Sequence, residues 1–458
     1  MTSFLTQING SGTGQYFADA SGSPWMLKGD SVWGLIDNAG QNGGATTYQT
    51  DITNYCSTRS GQGFNFFLTT PVGTTQSGAQ SNNGDTWDGV APFSSPGVLN
   101  NTFWTRVDYL LTTAASYGMT VVLNVMFTYA MNGGPLDSGT WSNANYQSYG
   151  AALASRYGST PNLIWEFGDD YGVFGEYYDT QFTYALDGLR GGGDTHILSI
   201  ENLWDSTSRY ALDGSTSFTW GIANAQFDWG YSANCPSYLP VEYAYTESSP
   251  ILAMLMDGWY DGQTGTSEST ELFMRKWAWW ALSSGSRGVL YGEYDLFSWP
   301  SDALTLLTSN PFTSTSLGTI WTTFSSFTGW QKLVADTSSS LVTSGRGTHY
   351  TDPALGSDNT YTGGNNWVTA SKTADKTLAV IYMPAHTTIT INQSQMAAGY
   401  TASWVDPANG TKTSTAAGSS YTSSGTNSAG DADWLLVLQG PAAAPSSPQY
   451  LYSMRRFR

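Results

Sequence analysis

The stretch "LIWEFGDDYG" at residues 163–172 places three carboxylates at the end of an apolar, strand-like run. Glu166, Asp169 and Asp170 lie within five residues, so their charges repel one another and each carboxylate loses hydration if the strand is buried. The stretch is therefore either a solvated strand end or part of an acid–base site, in which a neighbouring charge keeps one carboxyl group protonated.

Acidic residues also follow most of the other strand-like runs in the N-terminal part of the chain. Only 11% of the residues are charged, so a concentration of acids at strand ends is not expected by chance. A single loop aspartate is more often a turn former or a helix cap, but the set as a whole favours a site. Its members are Asp30, Asp169, Asp170, Glu201, Asp228, Asp257, Glu293 and Asp295.

The sequence lacks the residue patterns that several other kinds of catalysis need. The three histidines are scattered, and the sequence contains neither a nucleophile-elbow motif nor a phosphate-binding loop. Paired carboxylates are sufficient for glycoside hydrolysis, in which one protonates the leaving oxygen and the other attacks the anomeric carbon or activates water. We expect no metal and no cofactor. Cys56 and Cys235 form no metal motif, and we expect two buried thiols, with one long-range disulfide as the alternative.

Strand-like and helix-like segments alternate between residues 15 and 330, and they make up about eight βα units, the number that a closed parallel barrel requires. The strands are continuously apolar and the helices amphipathic, as in a sheet buried on both faces. The sequence therefore predicts an α/β fold, a (β/α)8 TIM barrel. In such a barrel the carboxyl ends of the fourth and seventh strands face each other at roughly the 5–10 Å that two catalytic carboxylates need.

Beyond residue 335 the helical period disappears, and short alternating runs separated by turn residues predict a small antiparallel β-sandwich. We expect a barrel over residues 1–335, a sandwich over 336–440, and a Pro/Ala/Ser linker with a basic-aromatic tail over 441–458. The tail is predicted to dock onto a virion or cell-surface assembly, with a frayed terminus as the alternative.

The composition favours a glycan as the partner. Aromatic residues make up 14% of the chain and charged residues 11%, which suits a neutral surface covered with hydroxyl groups. The net charge of −18 argues against nucleic acid, and no apolar run is long enough to span a membrane. The N-terminus lacks the pattern of a secretory signal. We therefore expect an extracellular or virion-associated protein without a classical signal peptide, with a cytoplasmic location as the alternative.

Several motifs together resemble the apiosidase-like glycoside hydrolase family, namely "WMLKGDSVWGL", "STRSGQGFNFF", "SRYGSTPNLIWEFGDDYG", "MLMDGWYDG" and "RKWAWWALSSGSRGVLYG". The downstream segments "TLAVIYMP", "ASWVDPANGTKT" and "DWLLVLQ" resemble the β-sandwich, named for collagen binding, that often follows this barrel. The resemblance runs from about residue 15 to about residue 440.

The resemblance assigns the two catalytic carboxylates. In the family the fourth strand ends in Gly-Gly-Asp and supplies the acid/base, which implies this role for Asp170 and places Asp169 where the second glycine stands. The seventh strand ends in Glu-Pro-x-Tyr-Glu, and its first residue is the nucleophile. Residues 257–261 match this pattern, so Asp257 takes that place with a side chain shorter by one methylene. The family pattern implies retention, whereas a wider gap that admits water would give inversion.

Other residues near strand ends are predicted to contact the sugar. For each tryptophan among them, packing in the core is an equally good interpretation. Glu166 is expected to be a hydrogen-bonded acid inside the barrel and the reserve acid/base. The predicted sugar contacts are Asp30, Trp33, Trp141, Asp169, Glu201, Trp204, Trp229, Trp259, Tyr260 and Glu293.

The sequence thus predicts a glycoside hydrolase that cleaves a furanose-containing or otherwise unusual cell-surface or cell-wall glycan. The alternative is a non-catalytic glycan-binding or structural protein, such as a phage tail component with a glycosidase-like domain. Carboxyl groups of Asp170 and Asp257 about 5 Å apart in an open pocket would favour the enzyme.

Overall fold

A computed structural model shows the protein as two packed domains. The structure describes residues 4–41, 47–79, 81–171, 178–202, 227–230, 236–246, 252–255, 260–262, 270–309, 312–349, 366–423 and 425–441. No helix in these ranges is long and apolar enough to cross a membrane.

The N-terminal domain is built on a closed barrel of eight parallel strands, which confirms the predicted fold class. Two of its strands, β4 (Phe66–Thr69) and β7 (Thr120–Phe127), are buried at every position, as expected for a sheet covered on both faces. Strands β1–β2 and β5–β6 form separate hairpins, and the barrel closes in the order β10-β11-β12-β3-β4-β7-β8-β9. In chain order the strands are β1 (Leu5–Asn9), β2 (Tyr16–Asp19), β3 (Leu27–Ser31), β4 (Phe66–Thr69), β5 (Phe93–Ser95), β6 (Val98–Leu99), β7 (Thr120–Phe127), β8 (Leu163–Tyr171), β9 (Leu198–Asn202), β10 (Phe227–Gly230), β11 (Leu252–Leu255) and β12 (Gly288–Gly292).

Helices lie between the barrel strands, and four of the longer ones begin at a side-chain cap. Thr47, Asn100, Ser142 and Thr270 each accept a hydrogen bond from a backbone N–H of the first helical turn. The helices are α1 (Leu35–Asn38), α2 (Tyr48–Gly61), α3 (Asn101–Ser116), α4 (Asn143–Tyr157), α5 (Asp179–Gly191), α6 (Tyr238–Thr246), α7 (Glu271–Ser283), α8 (Ala303–Ser309) and α9 (Gly318–Ser325).

Helices α4 and α5, on either side of β8 in sequence, touch through two glycines. A Cβ on Gly150 would stand 1.9 Å from the carbonyl oxygen of Ala185, and one on Gly188 would stand 2.1 Å from that of Gln147. Any larger residue at either position would separate the two helices. This close contact helps to fix the wall from which the carboxylates of β8 project.

The C-terminal domain is an antiparallel β-sandwich, as the sequence predicted. A six-stranded sheet has the order β13-β15-β16-β21-β18-β19, and a three-stranded sheet has the order β14-β17-β20. Buried residues between the two sheets form a second core, which includes Ile381, Ile389 and Leu436. The strands are β13 (Val334–Ala335), β14 (Val342–Ser344), β15 (Thr369–Lys372), β16 (Leu378–Met383), β17 (Thr388–Ile391), β18 (Thr401–Val405), β19 (Lys412–Thr415), β20 (Ser420–Thr422) and β21 (Trp434–Gln439).

Helix α7 joins the two domains. The buried Arg275 donates from Nε and Nη2 to the two carboxylate oxygens of Asp433, over 3.1 and 2.9 Å. The indole N–H groups of Trp279 and Trp280 donate to the carbonyl oxygens of Pro407 and Trp367. The barrel core continues without a break onto one face of the six-stranded sheet, so the domains share buried surface.

Candidate active site

Strand β8 ends in a bulge at the predicted acid/base. Gly168 pairs with Glu201 and Tyr171 pairs with Asn202, so Asp169 and Asp170 have no counterparts on β9. Gly168 and Asp169 both have positive φ angles, of +100° and +82°. A Cβ on Gly168 would come within 2.4 Å of the carbonyl oxygen of Glu201, so only glycine fits there. The bulge therefore sets where the strand delivers its last carboxylates.

The left-handed backbone at Asp169 explains why the family pattern has glycine at this position. An L-residue pays about 1–2 kcal/mol in that region, although aspartate is one of the residues that tolerate it best. Asp169 is also buried, with 6% of its surface exposed. This chain therefore has a buried carboxylate on a strained backbone directly before Asp170.

Glu166 is the hydrogen-bonded interior acid that the sequence suggested. It is fully buried, and its two carboxylate oxygens accept from Ser199 Oγ at 3.1 Å and from Asn124 Nδ2 at 3.4 Å. Its neighbour Trp165 stacks edge-on against Tyr157 of α4, so alternation along the strand directs Glu166 into the barrel. Glu201, two residues beyond Ser199 on β9, is also fully buried.

Trp33 and Tyr260 meet at the mouth although they are far apart in sequence. The indole N–H of Trp33, just after β3, donates to Tyr260 Oη over 3.0 Å. The Tyr260 ring lies against Gly292 at the end of β12, where a Cβ would stand 2.4 Å from it. The structure thus brings two predicted sugar-contacting residues together at the carboxyl ends of the strands.

The segment that carries Tyr260 is fastened to β12 through Asp261. The backbone N–H of Asp261 donates to the carbonyl oxygen of Gly292, and Tyr294 N–H donates to that of Asp261, both over 2.9 Å. The phenol of Tyr291 donates to Asp261 Oδ2, also over 2.9 Å. Asp261 therefore anchors the chain four residues after the predicted nucleophile, Asp257.

Asp30 and Glu293 share the guanidinium of Arg59. Arg59 Nε lies 2.6 Å from Asp30 Oδ2, which also accepts from Tyr55 Oη, and Arg59 Nη2 lies 3.5 Å from Glu293 Oε2. Burial raises the pKa of Glu293 to about 7, which the neighbouring charge of Arg59 opposes. Burial also raises the pKa of Asp30 against the pull of Arg59. Asp30 is fully buried in this ion pair, and its contact with sugar stays a prediction.

Trp141 lies in an aromatic cluster. It is 7% exposed, and its ring centroid is 4.8 Å from that of Phe93 and 5.2 Å from that of Tyr146. This is the core-packing interpretation of that tryptophan, and its stacking on a sugar stays a prediction. Cys56 is a buried free thiol, and burial raises its pKa to about 12.

Several predicted residues lie outside the described part of the chain. They are Asp257, Trp204, Trp259 and Cys235, together with the side chains of Asp170, Asp228 and Trp229. The backbone of Asp170 is described and belongs to β8. The roles predicted for these residues stay predictions.

Sequence reasoning missed Arg59, Asn124 and Asp261. Arg59 stands in the last turn of α2, where a charged residue is usually a solvated one, so its burial was not foreseen. Asp261 closes the motif that begins at Asp257, and that position was the available signal. No group of three or more possible ligands that could hold a metal ion occurs within the described ranges.

Comparisons with known proteins identify the families of the two domains. Residues 11–340 match the family described as "Apiosidase-like, catalytic domain", and residues 357–439 match "Putative collagen-binding domain of a collagenase". The two-domain resemblance predicted from the motifs is confirmed. No curated protein sequence matches the chain.

Solved structures of glycoside hydrolases share the fold over nearly the whole chain. One, named "Glycoside hydrolase", has a TM-score of 0.72 and 13% identity and covers 97% of this chain and 98% of its own. A glycoside hydrolase family 5 protein from Bacteroides vulgatus ATCC 8482 has a TM-score of 0.74 and 14% identity, with 96% and 94% covered. These likenesses show the fold, while the family match covers most of the chain. The chain belongs to the apiosidase-like family and is a glycoside hydrolase.

Proposed function

We propose that the barrel cleaves a furanose-containing or otherwise unusual cell-surface or cell-wall glycan with two carboxylates, Asp170 and Asp257. Asp170 is the general acid that protonates the leaving oxygen, and Asp257 is the nucleophile that attacks the anomeric carbon. Water then hydrolyses the glycosyl-enzyme ester while Asp170 acts as the base, and the anomeric configuration is retained.

The observation that carries the proposal is the bulge at the end of β8. The two residues without counterparts on β9 are Asp169 and Asp170, and they follow Gly168 at the carboxyl end of a barrel strand. Carboxyl ends of strands form the active face of this fold. The buried Asp169 carboxylate precedes Asp170 directly, and a nearby negative charge favours the protonated form that a general acid needs.

The anchored residues Tyr260 and Asp261, three and four positions after Asp257 in sequence, support the role proposed for Asp257. Asp261 is bound through its backbone and its side chain to residues 291–294, and Tyr260 is held by Trp33. Anchoring close to Asp257 in sequence matters because the Asp257 side chain is one methylene shorter than the family's glutamate. A misplacement of about 1 Å in a reacting group can cost about a hundredfold in rate.

The test is sugar release from a panel of bacterial and plant cell-wall polysaccharides by the purified protein. Asp170→Asn and Asp257→Asn should each lower the rate at least about a thousandfold with the fold intact, as judged by circular dichroism. The matched control is Asp302→Asn, at an exposed aspartate before α8, which should keep parental activity. Parental activity in either active-site variant would refute the assignment.

Proton NMR of the first sugar released distinguishes retention from inversion. Retention supports attack by Asp257, whereas inversion would mean that Asp257 activates a water across a wider gap.

The non-catalytic alternative, a glycan-binding virion or phage tail component, stays a prediction from the sequence. Family membership favours the enzyme. The distance between the Asp170 and Asp257 carboxyl groups, which would distinguish the two functions, joins side chains outside the described residues. Tight binding of a glycan from the panel without any cleavage would favour the alternative. An extracellular or virion-associated location and a docking partner for the tail at 441–458 also stay predictions.

A further inference from the structure

A polar cleft of about 660 Å³ lies between the two domains, on the side of the barrel opposite to the candidate active site. On the barrel side it is lined by Lys28, near the amino end of β3, and by residues of the α2–β4 turn and of α9. On the sandwich side it is lined by residues that end β18 and β21 and begin β19. Both domains are therefore needed to build it.

The charge of this cleft is unusual for the chain. Acidic residues outnumber basic ones by 35 to 17, yet no carboxylate occurs among the described residues that line the cleft. Two of the six lysines of the sequence, Lys28 and Lys412, line it together. Among the described ion pairs, neither lysine has an acidic partner, whereas Lys332 and Lys372 each approach an aspartate.

Lys28 is the more constrained of the two. Its side chain is half-buried at the barrel end, where burial lowers its pKa, and no carboxylate in the described part of the chain opposes that effect. A half-buried ammonium without a counter-ion costs free energy that a bound anion would recover. Lys412 is exposed at the cleft rim, where it adds a second positive charge.

The remaining lining consists largely of amides and hydroxyls. Among the described residues, the Asn409 amide nitrogen and the Thr322 hydroxyl line the cleft without a hydrogen-bond partner, and the buried Trp321 and Phe327 supply apolar surface beside them. The Gln62 side chain is already bonded to Arg59 and to the Leu307 carbonyl, and the Gln439 amide donates to the Thr377 carbonyl. Amide and hydroxyl groups both donate and accept hydrogen bonds, which matches a ligand with many hydroxyls. A simple inorganic anion would leave the Asn409 amide and the Thr322 hydroxyl unused.

We propose that this cleft is a non-catalytic binding site for an acidic oligosaccharide, whose carboxylate pairs with Lys28 and Lys412. The sugar hydroxyls then face Asn409 and Thr322, and both domains contact the same oligosaccharide. Because the site lies away from the barrel mouth, it does not depend on the roles of Asp170 and Asp257.

The test measures binding of an oligomer of six uronic acid residues to the full chain by isothermal titration calorimetry. The same oligomer with its carboxyls methyl-esterified has the same length and linkage without the charge, and inorganic phosphate is the charge without the sugar. Mass spectrometry after each titration confirms that the oligomer is intact. The parent should bind the acid form at least about tenfold more tightly than either comparison ligand.

Lys28→Gln and Lys412→Gln should each weaken binding of the acid oligomer about five- to tenfold, and the double variant should weaken it further. The matched control is Lys332→Gln, which removes an exposed lysine outside the cleft and should change the affinity less than twofold. Equal affinity for the acid and the ester, phosphate bound as tightly as the oligomer, no detectable binding, or a double variant that binds like the parent would each overturn the proposal.

Discussion

Glu293 should make the stability of the protein depend on pH around neutrality. One guanidinium, that of Arg59, serves two buried carboxyl groups, and Asp30 holds it at 2.6 Å while Glu293 lies at 3.5 Å. A single positive charge balances a single negative one, so the more distant carboxyl keeps its proton. Burial, helped by the negative charges of Asp30 and Asp261, raises the pKa of Glu293 from 4.5 to about 7 against the opposing charge of Arg59.

The sign and size of the effect follow from this shift. Folding favours the protonated form of Glu293, so its contribution to the free energy of unfolding is fully present below pH 4.5 and is lost as the pH rises through about 7. A shift of that size corresponds to about 3 kcal/mol in total, of which about 2.5 kcal/mol disappears between pH 5 and pH 8.

Glu293→Gln tests the reasoning, because glutamine has the shape of the protonated acid and cannot ionise. Urea unfolding of parent and variant at pH 5, 6, 7 and 8 should give similar free energies at pH 5. The variant should be more stable by about 2–3 kcal/mol at pH 8. Glu271→Gln, at an exposed glutamate of α7, is the matched control and should follow the parent. Parallel curves for the parent and Glu293→Gln would refute the shared-guanidinium account.

Two further substitutions test the bulge and the domain contact. Asp169→Gly should raise the free energy of thermal unfolding by about 0.5–1 kcal/mol, because it relieves the left-handed backbone more than it adds chain entropy. Asp169→Ala keeps a Cβ in the left-handed region and should not raise the free energy of unfolding. A glycine variant that is less stable than the parent would contradict backbone strain at Asp169. Arg275→Met should cost about 3–5 kcal/mol in urea unfolding, since Asp433 is left buried without its cation. Adding Asp433→Asn should recover at least half of that loss, and no recovery would mean that the ion pair is not the cause.

The barrel could be predicted from the sequence because its signals are local. Runs such as "MTVVLNVMF" and "LIWEFGDDYG" are long, apolar and bounded by helix patterns, and they became β7 and β8. The interior position of Glu166 followed from alternation along β8. These features need only the period of a strand and the count of βα units.

The contacts around the site could not be predicted in the same way. The hydrogen bond between Trp33 and Tyr260 joins residues 227 positions apart, and the burial of Arg59 depends on where β3 and β12 meet α2. The bulge at Asp169 arises from pairing with β9, which the β8 sequence alone does not specify. The sequence therefore indicated which residue types lie near the strand ends. The partners of those side chains could be identified only from the folded structure.

The contact made by α7 has a consequence for how this two-domain arrangement can be inherited. Removing the sandwich would expose Trp279 and Trp280 to solvent. It would also leave Arg275 without the carboxylate of Asp433. The sandwich cannot be exchanged between barrels by recombination in the intervening segment unless the incoming partner brings matching carbonyls and a carboxylate. Barrel and sandwich should therefore evolve as one unit, and the interface residues of α7 should change together with the sandwich residues that they contact.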